Sequence, residues 1–189
     1  MTLPNKLTIL RILVIPAMII IASISKLNNH IVFQEVSLSA LINVILFALA
    51  SFTDFLDGHI ARSRNLVTTF GKFADPLADK MLVLVSFIIL MSTGDYIPMW
   101  CVAVILLREL MVSGIRLVAA ERGEVIAAGW AGKVKTAVTM VALIFLFLYG
   151  TCKALDIIAL VLMYVSVALT IYSGIVYLWN SRKIIFESI

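Results

Sequence analysis

Asp54-Phe55-Leu56-Asp57-Gly58-His59-Ile60-Ala61-Arg62 is followed, after eight residues, by Gly71-Lys72-Phe73-Ala74-Asp75-Pro76-Leu77-Ala78-Asp79. The first block closes an apolar run that begins at Val36, and the second opens one that reaches Met91. Asp54 and Asp57 are three positions apart, Asp75 and Asp79 four. On helices each pair shares one face. A connection that folds the two runs into an antiparallel helical hairpin lets all four carboxylates converge near one end.

Outward from these blocks the sequence is overwhelmingly apolar. Of 189 residues, 62% are hydrophobic and 14% charged, where a soluble domain carries about 25% charged residues. So little polar surface points to the bilayer as solvent. Six runs approach the roughly 20 apolar residues of a membrane span: Ile9–Ile24, Val36–Leu56, Phe73–Met91, Ile97–Ala119, Val134–Tyr149 and Leu155–Leu178. The expected fold is all-α, a polytopic membrane bundle of about six transmembrane helices forming a single domain over residues 1–189. The mixed apolar and basic segment Leu3–Arg11 predicts a short N-terminal interfacial element. Lys6 and Arg11 beside an apolar run also fit a secretory signal, but five further apolar runs favour a retained span.

The basic residues give an orientation. Lys6 and Arg11 stand at the first run. Arg62, Arg64, Lys72 and Lys80 flank the second connection, Arg116, Arg122, Lys133 and Lys135 the fourth, and Arg182 and Lys183 lie in the tail. The opposite connections hold only Lys26 and Lys153. Positive charge stays cytoplasmic, so both termini and the acidic blocks face the cytoplasm. This placement accounts for the net charge of +4 without nucleic acid as a partner. Cys101 and Cys152 are too few for a disulfide framework and match no metal motif, so both read as ordinary apolar residues.

Four clustered carboxylates repel one another, and one Asp at a span's centre costs about 2.5–3.5 kcal/mol to insert. A bound cation removes both objections. Oxygen-only ligands suit Mg²⁺, Mn²⁺ or Ca²⁺, and two ions roughly 3.5–4 Å apart clamp the attacking and leaving oxygens of a phosphoryl transfer. Gly58, Ala61 and Gly71 allow a ligand close to the backbone, and Arg62 offers a planar fork for phosphate. Simpler readings exist: Asp57-Gly58 as a helix stop, and Asp75-Pro76 as an N-cap with Pro at the first helical position. They leave Asp54 and Asp79 unexplained. A transport path is the rival from another class, but the external halves of the runs have almost no ionisable residue.

These residues match the pattern D-x2-D-G-x2-A-R-x8-G-x3-D-x3-D at all eight fixed positions, and the chain thereby resembles the CDP-alcohol phosphotransferase family. The resemblance implies that a CDP-linked lipid donates its phosphoryl group to an acceptor hydroxyl and CMP leaves. It implies a divalent metal, Mg²⁺ or Mn²⁺ as two ions, held by Asp54, Asp57 and Asp75 with Asp79 nearby. Asp79 is then the general base, Gly58, Ala61, Arg62 and Gly71 line the CDP site, and a homodimer is expected.

The segments Pro4–Arg11, Leu107-Arg108-Glu109 and Gly132–Thr136 resemble those of phosphatidylglycerophosphate synthases, which implies CDP-diacylglycerol as donor and glycerol 3-phosphate as acceptor. Cardiolipin synthases share parts of these segments. Phosphatidylglycerol and inositol phosphate are therefore the rival acceptors. Arg108, Arg116, Lys133 and Lys135 are expected to meet the acceptor's phosphate, with Thr8 and Arg11 as weaker candidates. For Arg108 a structural ion pair with Glu109 is the competing reading. Lys133 and Lys135 also fit plain positive-inside charges. His59 fills a variable position of the pattern, and His30 lies in an external connection; neither carries a role.

Overall fold

A computed structural model describes the backbone of residues 3–64, 69–121 and 129–186, with the side chains of residues 7–53, 74–120 and 129–182. The chain is helical almost throughout, as lipid demands: with no water to satisfy its backbone groups, a spanning segment must bond them within itself. The helices are α1 (Leu3–Ser23), α2 (Ser25–Asn29), α3 (Leu38–Arg64), α4 (Thr69–Thr93), α5 (Met99–Glu121), α6 (Trp130–Phe147) and α7 (Lys153–Phe186). Each expected run overlaps one of the six long helices, though the run from Val36 opens in a short strand and that from Ile97 begins ahead of α5.

Three stretches among the described residues are long and apolar enough to cross a membrane: Ala74–Thr93, Trp130–Phe147 and Lys153–Arg182. Leu7–Ser23 and Leu38–Thr53 are shorter apolar helices. Helix α5 is long enough but carries Arg108, Glu109 and Arg116 within its length.

Two of the simpler readings fail, and one expected element merges into its neighbour. Helix α3 continues through Asp57-Gly58 to Arg64, so that dipeptide does not stop the helix. Helix α4 starts at Thr69 with Pro76 inside it, so Asp75 is not its N-cap. Lacking an N–H, Pro76 cannot bond the Lys72 carbonyl, yet the helix carries on. The segment Leu3–Arg11 is not a separate element but the opening turns of α1.

The chain divides into two compact units. Unit 1 comprises residues 1–95 and 143–159, and unit 2 residues 96–142 and 160–189. In unit 1, α1 packs against both α3 and α4. Met18, Phe47, Ala78 and Leu82 are buried there, and the rings of Phe47 and Phe147 lie 6.3 Å apart. A small cap, unforeseen in the sequence, follows α2: strands β1 (Ile31–Phe33) and β2 (Val36–Ser37) pair antiparallel. Gln34 turns the chain with φ 48°. The Glu35 N–H donates to the Gly150 carbonyl at 3.3 Å. Gly150 has φ +91°, and a Cβ there would lie 2.9 Å from the Glu35 Cβ. Both facts require glycine.

In unit 2, α5 contributes Cys101, Ile105 and Val112 to the interior, and α7 contributes Met163 and Val167. Cys101 thus behaves as the apolar residue expected, whereas Cys152 is exposed. Small hydroxyls join helices where apolar side chains gain nothing over lipid: Thr139 Oγ1 of α6 and Ser166 Oγ of α7 are 2.5 Å apart.

Candidate active site

Helices α3 and α4 belong to unit 1 and touch each other. Asp54 and Asp57 stand on α3, Asp75 and Asp79 on α4. The side chains of Asp54, Asp57, Gly58, His59, Ala61, Arg62 and Gly71, in which much of the expected metal and CDP site resides, lie outside the described residues. The α4 half of the motif is described. Asp75 and Asp79 are both half-buried, one helical turn apart on one face.

Helix α1 meets both carboxylates. Thr8 donates its hydroxyl to Asp75 Oδ1 at 2.5 Å. Arg11 donates Nη1 to Asp79 Oδ1 at 2.6 Å. The Arg11 side chain is 0% exposed and that of Asp79 32%. Thr8 and Arg11, expected beside the acceptor's phosphate, are therefore placed on the α4 aspartates. A guanidinium buried in an apolar bundle needs a carboxylate partner, and Asp79 is one.

These residues suit a hard divalent ion. Asp75 and Asp79 offer oxygen donors only, and a carboxylate has about four lone-pair sites, so a bond to Oδ1 is compatible with coordination. Thr8 and Arg11 also fix the two carboxylates, which lowers the entropy lost when a ligand binds.

Unit 2 holds a second polar cluster. Glu109 Oε1 accepts from Arg108 Nη1 at 2.9 Å and from Lys135 Nζ at 2.7 Å. The ion pair with Glu109 considered for Arg108 exists, and Lys135, 3% exposed, is the partner that sequence spacing did not reveal. One carboxylate between two cations leaves one positive charge over. Gly132 and Gly174 make room for Arg108: a Cβ at Gly132 would lie 3.5 Å from its Nη2, and one at Gly174 3.2 Å from its Cγ. Arg116 is not on Glu109; its guanidinium carbon lies 5.7 Å from the centre of the Tyr177 ring. Lys133 is exposed, as a plain positive-inside charge would be. Sequence reasoning passed over Tyr177 and Gly174. The only available signal was the four-residue spacing of Tyr177 and Ser181 just ahead of Arg182.

Beside a groove of about 260 Å³ in the same unit, Arg108 is the one charged residue among a lining that includes Leu107, Met111, Ile171, Gly174 and Leu178. Such a surface accepts hydrocarbon along most of its length and an anion at one point.

Comparison with known proteins agrees with the sequence pattern. A sequence model of the CDP-alcohol phosphatidyltransferase family matches residues 1–172. The CDP-diacylglycerol–glycerol-3-phosphate 3-phosphatidyltransferase of Bacillus subtilis is 46% identical over 150 residues, 78% of this chain and 77% of that protein. The protein of the same name from Rickettsia felis is 40% identical over 184 residues, 96% of each chain. That of Haemophilus influenzae is 33% identical over 190 residues, 99% of this chain and 97% of its own.

Proposed function

The chain belongs to the CDP-alcohol phosphatidyltransferase family, and from that premise we propose that it makes phosphatidylglycerophosphate. It transfers the phosphatidyl group of CDP-diacylglycerol to glycerol 3-phosphate and releases CMP. The observation that carries this reading is similarity along nearly the whole chain to transferases named for that donor and that acceptor. The basic cluster of unit 2 supports the choice of acceptor, because it has positive charge in excess of its one carboxylate.

Asp54, Asp57 and Asp75 hold two divalent ions, with Asp79 beside them. Bound there, Mg²⁺ or Mn²⁺ supplies charge neutralisation for the pyrophosphate of the donor. Gly58, Ala61, Arg62 and Gly71 line the CDP moiety. Asp79 takes the proton of the acceptor hydroxyl. The hydroxyl oxygen forms the new bond to phosphorus as the bond to the CMP oxygen breaks, so CMP departs with the electron pair. Arg108, Arg116, Lys133 and Lys135 draw the acceptor's phosphate. Thr8 and Arg11 hold Asp75 and Asp79 in place rather than meeting that phosphate.

The six long helices each span the cytoplasmic membrane, with both termini and the aspartates toward the cytoplasm, where glycerol 3-phosphate is dissolved. The donor arrives from the lipid phase. The whole chain, residues 1–189, serves as one catalytic domain, and it works as a homodimer, as the family resemblance implies.

The deciding experiment offers the purified protein CDP-diacylglycerol with one acceptor at a time and measures CMP. Glycerol 3-phosphate should support release, while glycerol, phosphatidylglycerol and inositol phosphate should give little. Equal rates with phosphatidylglycerol would move the assignment to cardiolipin synthesis.

A further inference from the structure

Strand β1 of the cap is apolar on both faces and buries neither. Successive side chains of a strand point to opposite faces, so a strand that contributes to a core hides every second residue. In β1, Ile31 is 59% exposed, Val32 48% and Phe33 55%. The hairpin's inward contact belongs to β2, whose Val36 is 3% exposed. Among the described residues β1 pairs with β2 alone, which leaves its other edge open. In water, a two-stranded hairpin is marginal, and an open apolar edge is a template for association.

The cap stands far from the aspartates and at the end of two spans. Thr8 and Arg11 set the opening turns of α1 on Asp75 and Asp79. Helix α1 then runs on to Ser23, about 18 Å beyond Arg11 at 1.5 Å per residue, and the cap follows. The Glu35 N–H donates to the Gly150 carbonyl. Gly150 lies in the turn between Trp130–Phe147 and Lys153–Arg182, each long and apolar enough to cross a membrane. A hairpin bonded to such a turn stands at a bilayer boundary. Lys26 of α2 and Lys153 at the head of α7 are both exposed, as suits side chains that keep their charge among headgroups. Greater depth is closed to the strand, because hydrocarbon cannot satisfy the N–H and C=O groups of an open edge.

We propose that β1 is an interfacial anchor. Ile31, Val32 and Phe33 insert into the acyl boundary of the leaflet on the side away from the aspartates, and the strand backbone stays at headgroup level, where water satisfies its free edge. The partner is phospholipid. Val36 and the bond to Gly150 hold the hairpin on unit 1, so the anchor fixes the depth of that unit in the bilayer. The contact involves neither acceptor nor metal and stands apart from the reaction.

The test uses the full chain in vesicles of phosphatidylethanolamine and phosphatidylglycerol. Cys101 is buried and Cys152 exposed, so Cys152→Ser combined with Val32→Cys leaves one accessible thiol for an environment-sensitive fluorophore. Phe33→Cys in the same background provides a second position. Lipid nitroxides near the glycerol should quench either label more strongly than nitroxides at the chain end, and should place it about 5–10 Å into the boundary. Adding Ile31→Ser should carry the label toward water, with loss of lipid quenching and a gain in quenching by iodide. Full access to iodide before that change would put the cap in water and overturn the inference. Stronger quenching from the chain end would put it in hydrocarbon and also overturn it. Self-quenching that grows with the protein-to-lipid ratio, with no effect of lipid nitroxides, would assign the open edge to a second copy of the chain instead.

Discussion

Around α1 and α4 of unit 1, Asp75 accepts from a neutral hydroxyl and Asp79 from a guanidinium. Around α5 and α6 of unit 2 the ratio is reversed: one carboxylate, Glu109, faces two cations, and Arg116 stands two turns along the same helix. Among the described residues, carboxylates outnumber their cationic partners in the first cluster and cations outnumber the carboxylate in the second, in each case opposite in sign to the ligand proposed for it. Surplus carboxylate in an apolar surrounding favours a cation, and surplus guanidinium and ammonium favour an anion. The fixed partners, Arg11 on one side and Glu109 on the other, make the surplus tolerable when no ligand is there. Reducing the charge count is not their only effect, since both also fix the geometry of the groups they touch.

The largest effect should come from the acidic side. Chelation of divalent ions should abolish CMP release, and Mg²⁺ or Mn²⁺ should restore it. Asp79→Asn keeps size and removes basicity, so transfer should fall roughly 10²–10⁴-fold while calorimetric metal binding persists. Asp75→Asn should weaken metal binding itself. Equal loss of metal in both variants would make Asp79 chiefly a ligand.

On the basic side, Glu109→Gln leaves the half-buried Arg108 and the buried Lys135 without their carboxylate. Breaking a buried ion pair by removing one partner costs about 3–5 kcal/mol, read as a lower thermal midpoint in detergent. An unchanged midpoint would mean that the two cations find other partners, and the contrast between the clusters would collapse.

Arg11→Ala tests the counterpart in unit 1. Asp79 is one-third exposed and water can partly replace the guanidinium, so the loss should be smaller, about 1.5–3 kcal/mol. A loss exceeding that of Glu109→Gln would reverse the ranking. The smallest change belongs to Thr8→Val, which deletes one hydroxyl donor at nearly constant volume. It should cost about 1.5 kcal/mol, the low end for a hydrogen bond to a charged group, in the same unfolding measurement.

Much of the fold was legible in the apolar runs. The run expected over 134–149 is α6 over Trp130–Phe147, and that over 155–178 lies inside α7. Local punctuation was less reliable. Asp57-Gly58 and Asp75-Pro76 carry the chemistry of helix ends, yet both lie inside helices because the surrounding bundle overrides the local preference. The acidic motif was also legible, since its spacing is set within two adjacent helices. Pairings across long sequence distances were not. Nothing in Thr8 or Arg11 announces that they meet residues 67 and 68 positions away, because those contacts arise only when α1 packs on α4. Glu109 could be matched with its neighbour Arg108, but the bond from Lys135 needs α6 to lie beside α5. The β1–β2 hairpin escaped notice because five strand residues leave almost no periodic signal.

The bond between Glu35 and Gly150 has a consequence for how the protein is made. Its two ends are separated by most of the polypeptide, so the cap cannot close until α3, α4, α5 and α6 have all been synthesised. Synthesis proceeds from the N-terminus at about 5–20 residues per second, so the hairpin waits for several seconds before its partner emerges. Closure is then a late checkpoint of biogenesis. A side chain at position 150, where only glycine fits, would spoil that last step after nearly every helix has been made.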